Sequence, residues 1–459
     1  MADNKKNIKM KSLTRSIIFL LLISLSSVIS GQNIKLITCI DSALANSGNI
    51  KAVRTDIEIA ELQTSSAYQK YLPDLSLSYG YRYNPVIPTQ IIPVGQFSQV
   101  PTDEKRPIKF GTDWQQNSGI NLYQPIIDFS IKSRVAESKI NEKLKNTDAE
   151  AAERDLKMEV LKTFLNVWLM EEQSRSATLD TLRTYSTKEL FMARLREGQT
   201  LKTEVNRAIL NHNNALANYV SVSSSLTREK IYMSFLTGIS LETLLDGTFD
   251  FSPFSEGFPE IDGADPFLDS IPSVKNLKLR AQLLEQQQKA ERLKKTPTLG
   301  FEGFLGANQY SDTFSPFLSD RWYGSSYLGL SLRFQLLSGS STRNRVNQLK
   351  LEEKAVESRL GDEISSVSNA ILQLAEEIRQ IEYQAELSKQ NLALYEENLS
   401  LNQDRFDKGQ INAYDLLTDE IDFQKEQSGY NERLAELFFK KIELINNSGA
   451  LSSFIEDLR

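Results

Sequence analysis

The chain has 459 residues, 25% of them charged, and a formal net charge of −7. That charge content excludes a membrane protein built from several apolar helices. The negative balance argues against nucleic-acid binding, because a phosphate backbone attracts basic surfaces. Cys39 is the only cysteine and His212 the only histidine. An intramolecular disulfide is therefore excluded, and a metal site of the usual histidine and cysteine kind is close to excluded.

Residues 1–31 have the pattern of a secretory signal peptide. Five basic residues precede an apolar stretch from Ile17 to Ile29, and Ser30-Gly31 offers a small-residue cleavage site. An N-terminal anchor is the alternative, although the stretch is short and rich in serine. Removing residues 1–31 takes away five positive charges and one negative charge, so the net charge changes from −7 to −11. The start codon, Met1 or Met10, stays open.

Cys39 and His212 each have a plain structural interpretation. Leu36-Ile37-Thr38-Cys39 faintly resembles a lipoprotein cleavage box, but Cys39 lies well past the apolar stretch. We therefore expect a small buried residue at Cys39. His212 follows the apolar spacing of a predicted helix and has no second ligand-type residue beside it, which favours a hydrogen-bonded interhelix histidine.

Two halves of the chain repeat the same order of motifs. Residues 120–127 match residues 330–337 at an offset of 210, and residues 194–199 match residues 405–410 at an offset of 211. Each half predicts a helix ending near a proline, two strands, a very long helix, a glycine turn and a return helix. The predicted boundaries are a signal peptide (1–31), a first repeat (32–238), an equatorial linker (239–272), a second repeat (273–449) and a C-terminal tail (450–459).

Two proline-free stretches predict unusually long helices. Residues 130–197 lack proline and glycine, and residues 341–406 contain only Gly361. From Leu360 the apolar residues recur in alternating steps of four and three as far as Ala385, the heptad spacing of coiled coils. A helix of about 65 residues is roughly 100 Å long. Shorter return helices are predicted from Leu201 and over residues 412–447.

Four segments of about ten residues alternate between apolar and polar side chains, and Pro73, Pro125 and Pro297 mark their starts or ends. This length and alternation suit tilted strands of a membrane β-barrel with a wet lumen. Aromatic residues gather near the strand ends, as an interfacial belt requires: Tyr83, Trp114, Tyr310, Trp322 and Tyr323. A soluble sheet is the alternative, but its edges would stay open. Four strands cannot close a barrel with a lumen, so several chains must share one.

These motifs together resemble the TolC-type outer-membrane efflux family over about residues 36–449. Residues 39–46 look like its opening Ala-Leu-x-Asn segment, and residues 71–75 like its Leu-Pro start of the first strand. Residues 122–128 look like its strand-to-helix junction, and residues 405–417 like its helix turn. The resemblance implies a mainly α-helical fold with a transmembrane β part. Three protomers would form a homotrimer with a twelve-strand barrel and a periplasmic tunnel of antiparallel coiled coils.

The resemblance also implies site residues. Positions matching the periplasmic tip, where the family meets an adaptor protein, are Arg194, Gly198, Glu204, Arg405 and Gly409. Asp415 and Asp419 are candidate gate carboxylates, since threefold symmetry turns one such residue into a ring that attracts cations. Asp415 as a simple helix cap is the equal alternative. The family's second gate acid is replaced here by Thr418.

The predicted function is a passive conduit of a tripartite efflux or type I secretion system in the outer membrane of a Gram-negative bacterium. Its partners would be a periplasmic adaptor, an inner-membrane pump and outer-membrane lipid, with no cofactor and no nucleic acid. The alternatives are a periplasmic coiled-coil spacer without a pore and an enzyme using paired carboxylates. Acidic residues are plentiful, but we expect them on solvated helix faces. The exported cargo is not readable from this sequence.

Overall fold

A computed structural model describes residues 33–93, 105–251, 268–314, 322–334 and 340–458. The predicted signal peptide and residues 252–267 of the predicted linker lie outside these ranges. The helices are α1 (Leu36–Asn46), α2 (Gly48–Gln69), α3 (Phe129–Arg196), α4 (Lys202–Thr237), α5 (Leu241–Asp246), α6 (Pro272–Leu293), α7 (Ser341–Asp407), α8 (Ala413–Asn447) and α9 (Leu451–Asp457). The strands are β1 (Asn33–Ile34), β2 (Asp74–Tyr83), β3 (Thr89–Pro93), β4 (Lys105–Lys109), β5 (Trp114–Ile127), β6 (Thr248–Phe249), β7 (Thr298–Ser311) and β8 (Tyr323–Arg333).

The two long helices agree with the sequence prediction to within one residue at each end. Helix α3 has 68 residues and α7 has 67. The heptad positions of α7 are buried from Ile371 to Ala385, as the spacing requires. Within the described ranges, no helix combines the length and apolar character needed to cross a bilayer.

The chain divides into two compact units. One, the strand unit, consists of residues 55–147 and 276–360, and the other, the helical unit, holds the remaining residues. The strand unit contains an antiparallel sheet in the order β2-β5-β7-β8. These are the four predicted strands, so that prediction is confirmed. A separate hairpin of β3 and β4 was not predicted.

The core of the helical unit is formed by α1, α3, α4, α5, α8 and α9. Its fully buried residues include Phe164 from α3, Met233 from α4 and Ile442 from α8. Cys39 has no exposed surface, which confirms the prediction of a small buried residue, and burial raises the pKa of its thiol to about 12. The residues assigned to a C-terminal tail include α9, whose Phe454 and Ile455 complete this core.

Candidate functional site

Two helical hairpins of the helical unit end in glycine turns with the same backbone geometry. Gly198 joins α3 to α4 and Gly409 joins α7 to α8, with φ angles of +74° and +71°. In each turn the residue after the glycine donates its N–H to the carbonyl of the predicted arginine, at 2.8 Å for Arg194 and 2.9 Å for Arg405. Glycine is favoured because this conformation strains any residue with a Cβ. The predicted glycine turns are therefore present.

The two turns share one apolar cluster. Phe191, Val205 and Ala208 from the first hairpin pack with Phe406 and Leu416 from the second. The rings of Phe191 and Phe406 are stacked with their centroids 5.3 Å apart. The two hairpins are therefore held side by side at their turns.

The two predicted arginines have different surroundings. The guanidinium of Arg194 lies over the Phe406 ring, 4.0 Å from its centroid, and donates to the Phe406 carbonyl at 3.4 Å. Its Nη2 also lies 3.6 Å from Asp407. Arg405 is exposed, and its side chain has no ion pair among the residues that the structure describes. Arg194 thus ties the first hairpin to the second, whereas Arg405 stays free to meet another molecule.

The equivalent acids, Glu204 and Asp415, also differ. Glu204 accepts a hydrogen bond from the Leu201 N–H at 3.1 Å and a second from the Thr200 hydroxyl, and these bonds hold its pKa below the ordinary value. Its carboxylate is therefore used inside the turn, where it caps the free N–H of Leu201 at the start of α4. At the second turn Asn412 provides the cap, accepting from the Asp415 N–H at 2.9 Å. The Asp415 carboxylate remains exposed.

Asp419, the second candidate gate acid, is partly buried. Asn402 of α7 donates to its Oδ2 at 2.6 Å, so the carboxylate is held between the two helices of the second hairpin. Thr418, at the family's acid position, bonds to the Tyr414 carbonyl of its own helix. Of the three positions, Asp415 alone presents an exposed carboxylate.

A buried polar cluster between the two hairpins was missed by sequence reasoning. The Glu420 side chain is 1% exposed and accepts hydrogen bonds from Thr187 at 2.9 Å and Asn211 at 3.4 Å. Arg183 lies between Glu420 and Asp180, 3.8 Å from the former and 2.9 Å from the latter. The expectation that acidic residues lie on solvated helix faces is therefore wrong for Asp180 and Glu420.

His212 lies close to this cluster and is 8% exposed. Its Nδ1 is 3.2 Å from the Thr184 hydroxyl of α3, which confirms the prediction of an interhelix histidine. Desolvation and the nearby Lys188 lower its pKa. Within the described ranges, no group of three or more His, Cys, Asp or Glu side chains is arranged to hold a metal ion.

In the strand unit, the sheet exposes an apolar face. The leucines of β2, β7 and β8 that alternate onto this face are mostly solvent-exposed, with exposures of 77% for Leu77, 66% for Leu305 and 75% for Leu328. On the other face Phe304 lies against Gly119 and Gly306, where an added Cβ would come within 2.5 Å of its ring. Leaving large apolar side chains in water is unfavourable, so this face is suited to contact lipid or protein.

The predicted aromatic residues cluster where the strands end. Tyr83 and Trp114 are register partners, with ring centroids 4.5 Å apart. The ring centroids of Tyr310 and Tyr323 are 6.3 Å apart. Trp322 directly precedes β8 and is 37% exposed. Their role as a membrane belt remains a prediction.

The three prolines mark changes in the path of the chain. Pro73 lies between α2 and β2, and Pro297 lies between α6 and β7. Pro125 lies within β5, where the pairing with β7 shifts its register between Pro125 and Ile127. Proline lacks an N–H and therefore suits strand starts and irregular positions.

Part of the chain matches a known protein family. Residues 266–437 match the family model described as outer membrane efflux protein. No curated protein sequence is significantly similar to the chain. The predicted resemblance to outer-membrane efflux proteins is confirmed over residues 266–437.

Solved structures match over almost the whole chain. The CmeC outer membrane channel of Campylobacter jejuni has a TM-score of 0.72 at 15% identity, covering 92% of this chain and 89% of that one. The outer membrane protein VceC of Vibrio cholerae has a TM-score of 0.70 at 14% identity, with coverages of 90% and 96%. The open state of the Neisseria gonorrhoeae MtrE channel gives 0.63 at 16% identity, with coverages of 91% and 89%. At these identities the likeness establishes the fold.

Proposed function

We propose that the protein is one protomer of a homotrimeric channel in the outer membrane. It would act as a passive conduit from the periplasm or an inner-membrane pump to the exterior, in a tripartite efflux or type I secretion system. The observation that carries this proposal is the four-stranded sheet with its exposed leucine face. An isolated sheet of this kind leaves both its apolar side chains and its edge strands unsatisfied.

The sheet supports sharing between chains for a geometric reason. Strands β2 and β8 lie at its two edges, with one sheet neighbour each among the described residues. Four strands are too few to enclose a lumen, whereas three copies supply twelve. Lipid around such a barrel would cover leucines such as Leu77 and Leu328, and the aromatic residues at the strand ends would lie at the membrane surface.

The helical hairpins suit a periplasmic tunnel. The sequence contains no phosphate-binding loop, so an attached pump would have to supply the energy. The turns offer an adaptor contact through Arg405 and Gly409, with Arg194, Gly198 and Glu204 at the equivalent turn. Because Arg194 and Glu204 already have partners within the chain, Arg405 is the stronger candidate for direct contact.

The exposed carboxylate of Asp415 supports a charged constriction. Three copies around a symmetry axis would form an acidic ring that attracts cations and opposes anions. Asp419 is a weaker candidate because Asn402 already holds its carboxylate. Glu204 is weaker still, since its carboxylate already accepts hydrogen bonds from the Leu201 N–H and the Thr200 hydroxyl.

Conductance of the purified mature protein in planar lipid bilayers tests the proposal. We expect channels with low resting conductance, and a higher conductance for the double variant Asp415→Ala/Arg405→Ala. Glu204→Ala at the equivalent position of the first turn is the matched control and should leave conductance unchanged. Complete absence of conductance in the native protein and in both variants would instead favour a spacer without a pore.

A further inference from the structure

The strongest feature outside the turns is the buried cluster of Asp180, Arg183 and Glu420. All three residues belong to the helical unit. The side chains of Glu420 and Asp180 are 1% and 12% exposed, and that of Arg183 is 25% exposed. Two carboxylates thus face one guanidinium in a poorly hydrated place.

The cluster connects three helices from the two hairpins. Glu420 belongs to α8 of the second hairpin, and its two oxygens accept hydrogen bonds from Thr187 of α3 and Asn211 of α4. Arg183 of α3 lies over the ring of Phe423 of α8, 5.4 Å from its centroid. Any relative movement of the two hairpins near their turns would therefore break these contacts.

The charges of the cluster do not balance when both carboxylates are ionised. The groups facing Glu420 are Arg183, Asp180 and the neutral hydroxyl of Thr187 from α3, and the neutral amide of Asn211 from α4. Desolvation raises the pKa of Glu420, and Asp180 raises it further, while Arg183 and the Thr187 hydroxyl lower it. Desolvation raises the pKa of Asp180 as well, against the effect of Arg183 and Gln424. An uncompensated charge in such a place is costly, and binding one proton removes that cost.

We propose that Glu420 is a positioning residue for the turns: the Asp180–Arg183–Glu420 cluster holds the two hairpins together with one bound proton, and release of that proton to solvent loosens the junction and opens the channel. This inference rests on the proposed function, because it assumes that the hairpins separate when the channel opens.

The direction of the pH effect follows from the raised pKa. When the hairpins separate, water reaches Glu420 and its pKa returns towards the ordinary value of 4.5. The packed state therefore binds the proton more tightly than the open state. The proton stabilises the packed state fully when the pH is below the ordinary pKa of Glu420. This stabilisation is lost as the pH rises through the raised pKa of the packed state. Each unit of pKa difference between the two states changes their ratio by about tenfold.

Two measurements on the full-length trimer test the proposal: the open probability in planar bilayers, and amide hydrogen exchange of residues 413–424 corrected for its intrinsic pH dependence. In the native protein, open probability should increase as the pH rises from the ordinary Glu420 pKa of 4.5 through the raised one, by about tenfold for each unit of pKa difference, and exchange in residues 413–424 should accelerate in parallel. Glu420→Gln keeps an acceptor for Thr187 but cannot ionise, so both curves should become flat. Asp180→Asn leaves one carboxylate facing one guanidinium and should also flatten them.

Glu436→Gln is the matched control, because it removes an exposed carboxylate from the same helix. It should keep the pH dependence of the native protein. A native protein whose open probability and exchange do not change with pH would overturn the proposal, and so would a Glu420→Gln variant with the native slope. If no variant conducts at all, the channel function fails, and the exchange measurement still decides whether the junction responds to the proton.

Discussion

The two glycine turns have the same backbone conformation, but their charged side chains make different contacts. Gly198 and Gly409 have φ angles within a few degrees of each other and the same hydrogen-bond pattern to the preceding arginine. At the first turn, Arg194 and Glu204 have partners within the chain. At the second, Arg405 and the carboxylate of Asp415 are exposed.

This difference separates residues that hold the hairpins together from residues that can act on other molecules. A repeated motif predicts the same turn twice, but an equivalent position does not carry an equivalent role. At the first turn the charged side chains bond to other residues of the chain, whereas the second turn presents a cation and an anion to solvent. Four sets of variants test whether the two turns differ in this way.

The largest effect is expected in the shared apolar cluster. Phe191→Ala should lower the free energy of unfolding by about 3–4 kcal/mol, because the side chain has no exposed surface and its removal leaves a cavity. Phe406→Ala should have a similar cost, since the two rings are stacked. Denaturant unfolding followed by circular dichroism measures both. If the cluster is shared, the double variant should cost less than the sum of the single variants, and strict additivity would contradict it.

Alanine at Gly198 and alanine at Gly409 should lower the free energy of unfolding by equal amounts. Gly198→Ala and Gly409→Ala should each cost about 1–2 kcal/mol from backbone strain alone, because an added Cβ meets nothing within 4 Å at either position. The control is Gly361→Ala inside α7, which also has open space but no positive φ. That variant should be stabilised by up to about 1 kcal/mol. Unequal costs at the two turns, measured by the same unfolding experiment, would show that their backbones are not equivalent.

Substitution of Glu204 should lower stability, whereas substitution of Asp415 should change conductance. At neutral pH, Glu204→Ala should cost about 1 kcal/mol by removing the acceptor of the Leu201 N–H, and Glu204→Gln should cost less because an amide oxygen can still accept that bond. The pKa of Glu204 is lowered in the fold, so its stabilisation is present above the ordinary value and is lost as pH falls through the lowered one. Asp415→Ala should cost about 0.5 kcal/mol or less and change conductance instead. If Asp415→Ala lost more stability than Glu204→Ala, Asp415 would be the structural residue of the two, contrary to this prediction.

The smallest effect is expected at the arginines. Arg194→Gln should cost about 0.5–1 kcal/mol through loss of the contact with the Phe406 ring. Arg405→Gln should leave the free energy of unfolding unchanged within error, because its side chain is exposed. Surface plasmon resonance measures binding of a candidate adaptor, and there Arg405→Gln should weaken binding more than Arg194→Gln does. Equal losses of stability would indicate that the two arginines have the same role.

The sequence predicts the regular elements well because their patterns are long. Heptad spacing from Leu360 predicts α7, the absence of proline and glycine over residues 130–197 predicts α3, and alternation over about ten residues predicts four strands. The positive φ of Gly198 and Gly409 is also predictable, because only a helix-ending turn explains a glycine at that point. The hairpin of β3 and β4 was missed because its five-residue strands do not alternate clearly.

Contacts between the hairpins were not predictable from local patterns. Arg194 meets Phe406 and Thr187 meets Glu420 only because the two hairpins pack side by side, more than 200 residues apart in sequence. Helical spacing shows which residues share a face, but not which polar residue on that face meets a third helix. Glu420 therefore looks in sequence like its acidic neighbours Asp419 and Asp422, which are only partly buried, although its own side chain is almost completely buried.

The number of chains in the detergent-extracted particle decides whether several protomers share one channel. Native mass spectrometry of the mature protein should give three copies of the chain, because one protomer supplies only four strands and leaves two sheet edges and a leucine face uncovered. A stable single chain that remains dispersed without detergent would contradict the shared channel, whatever its conductance.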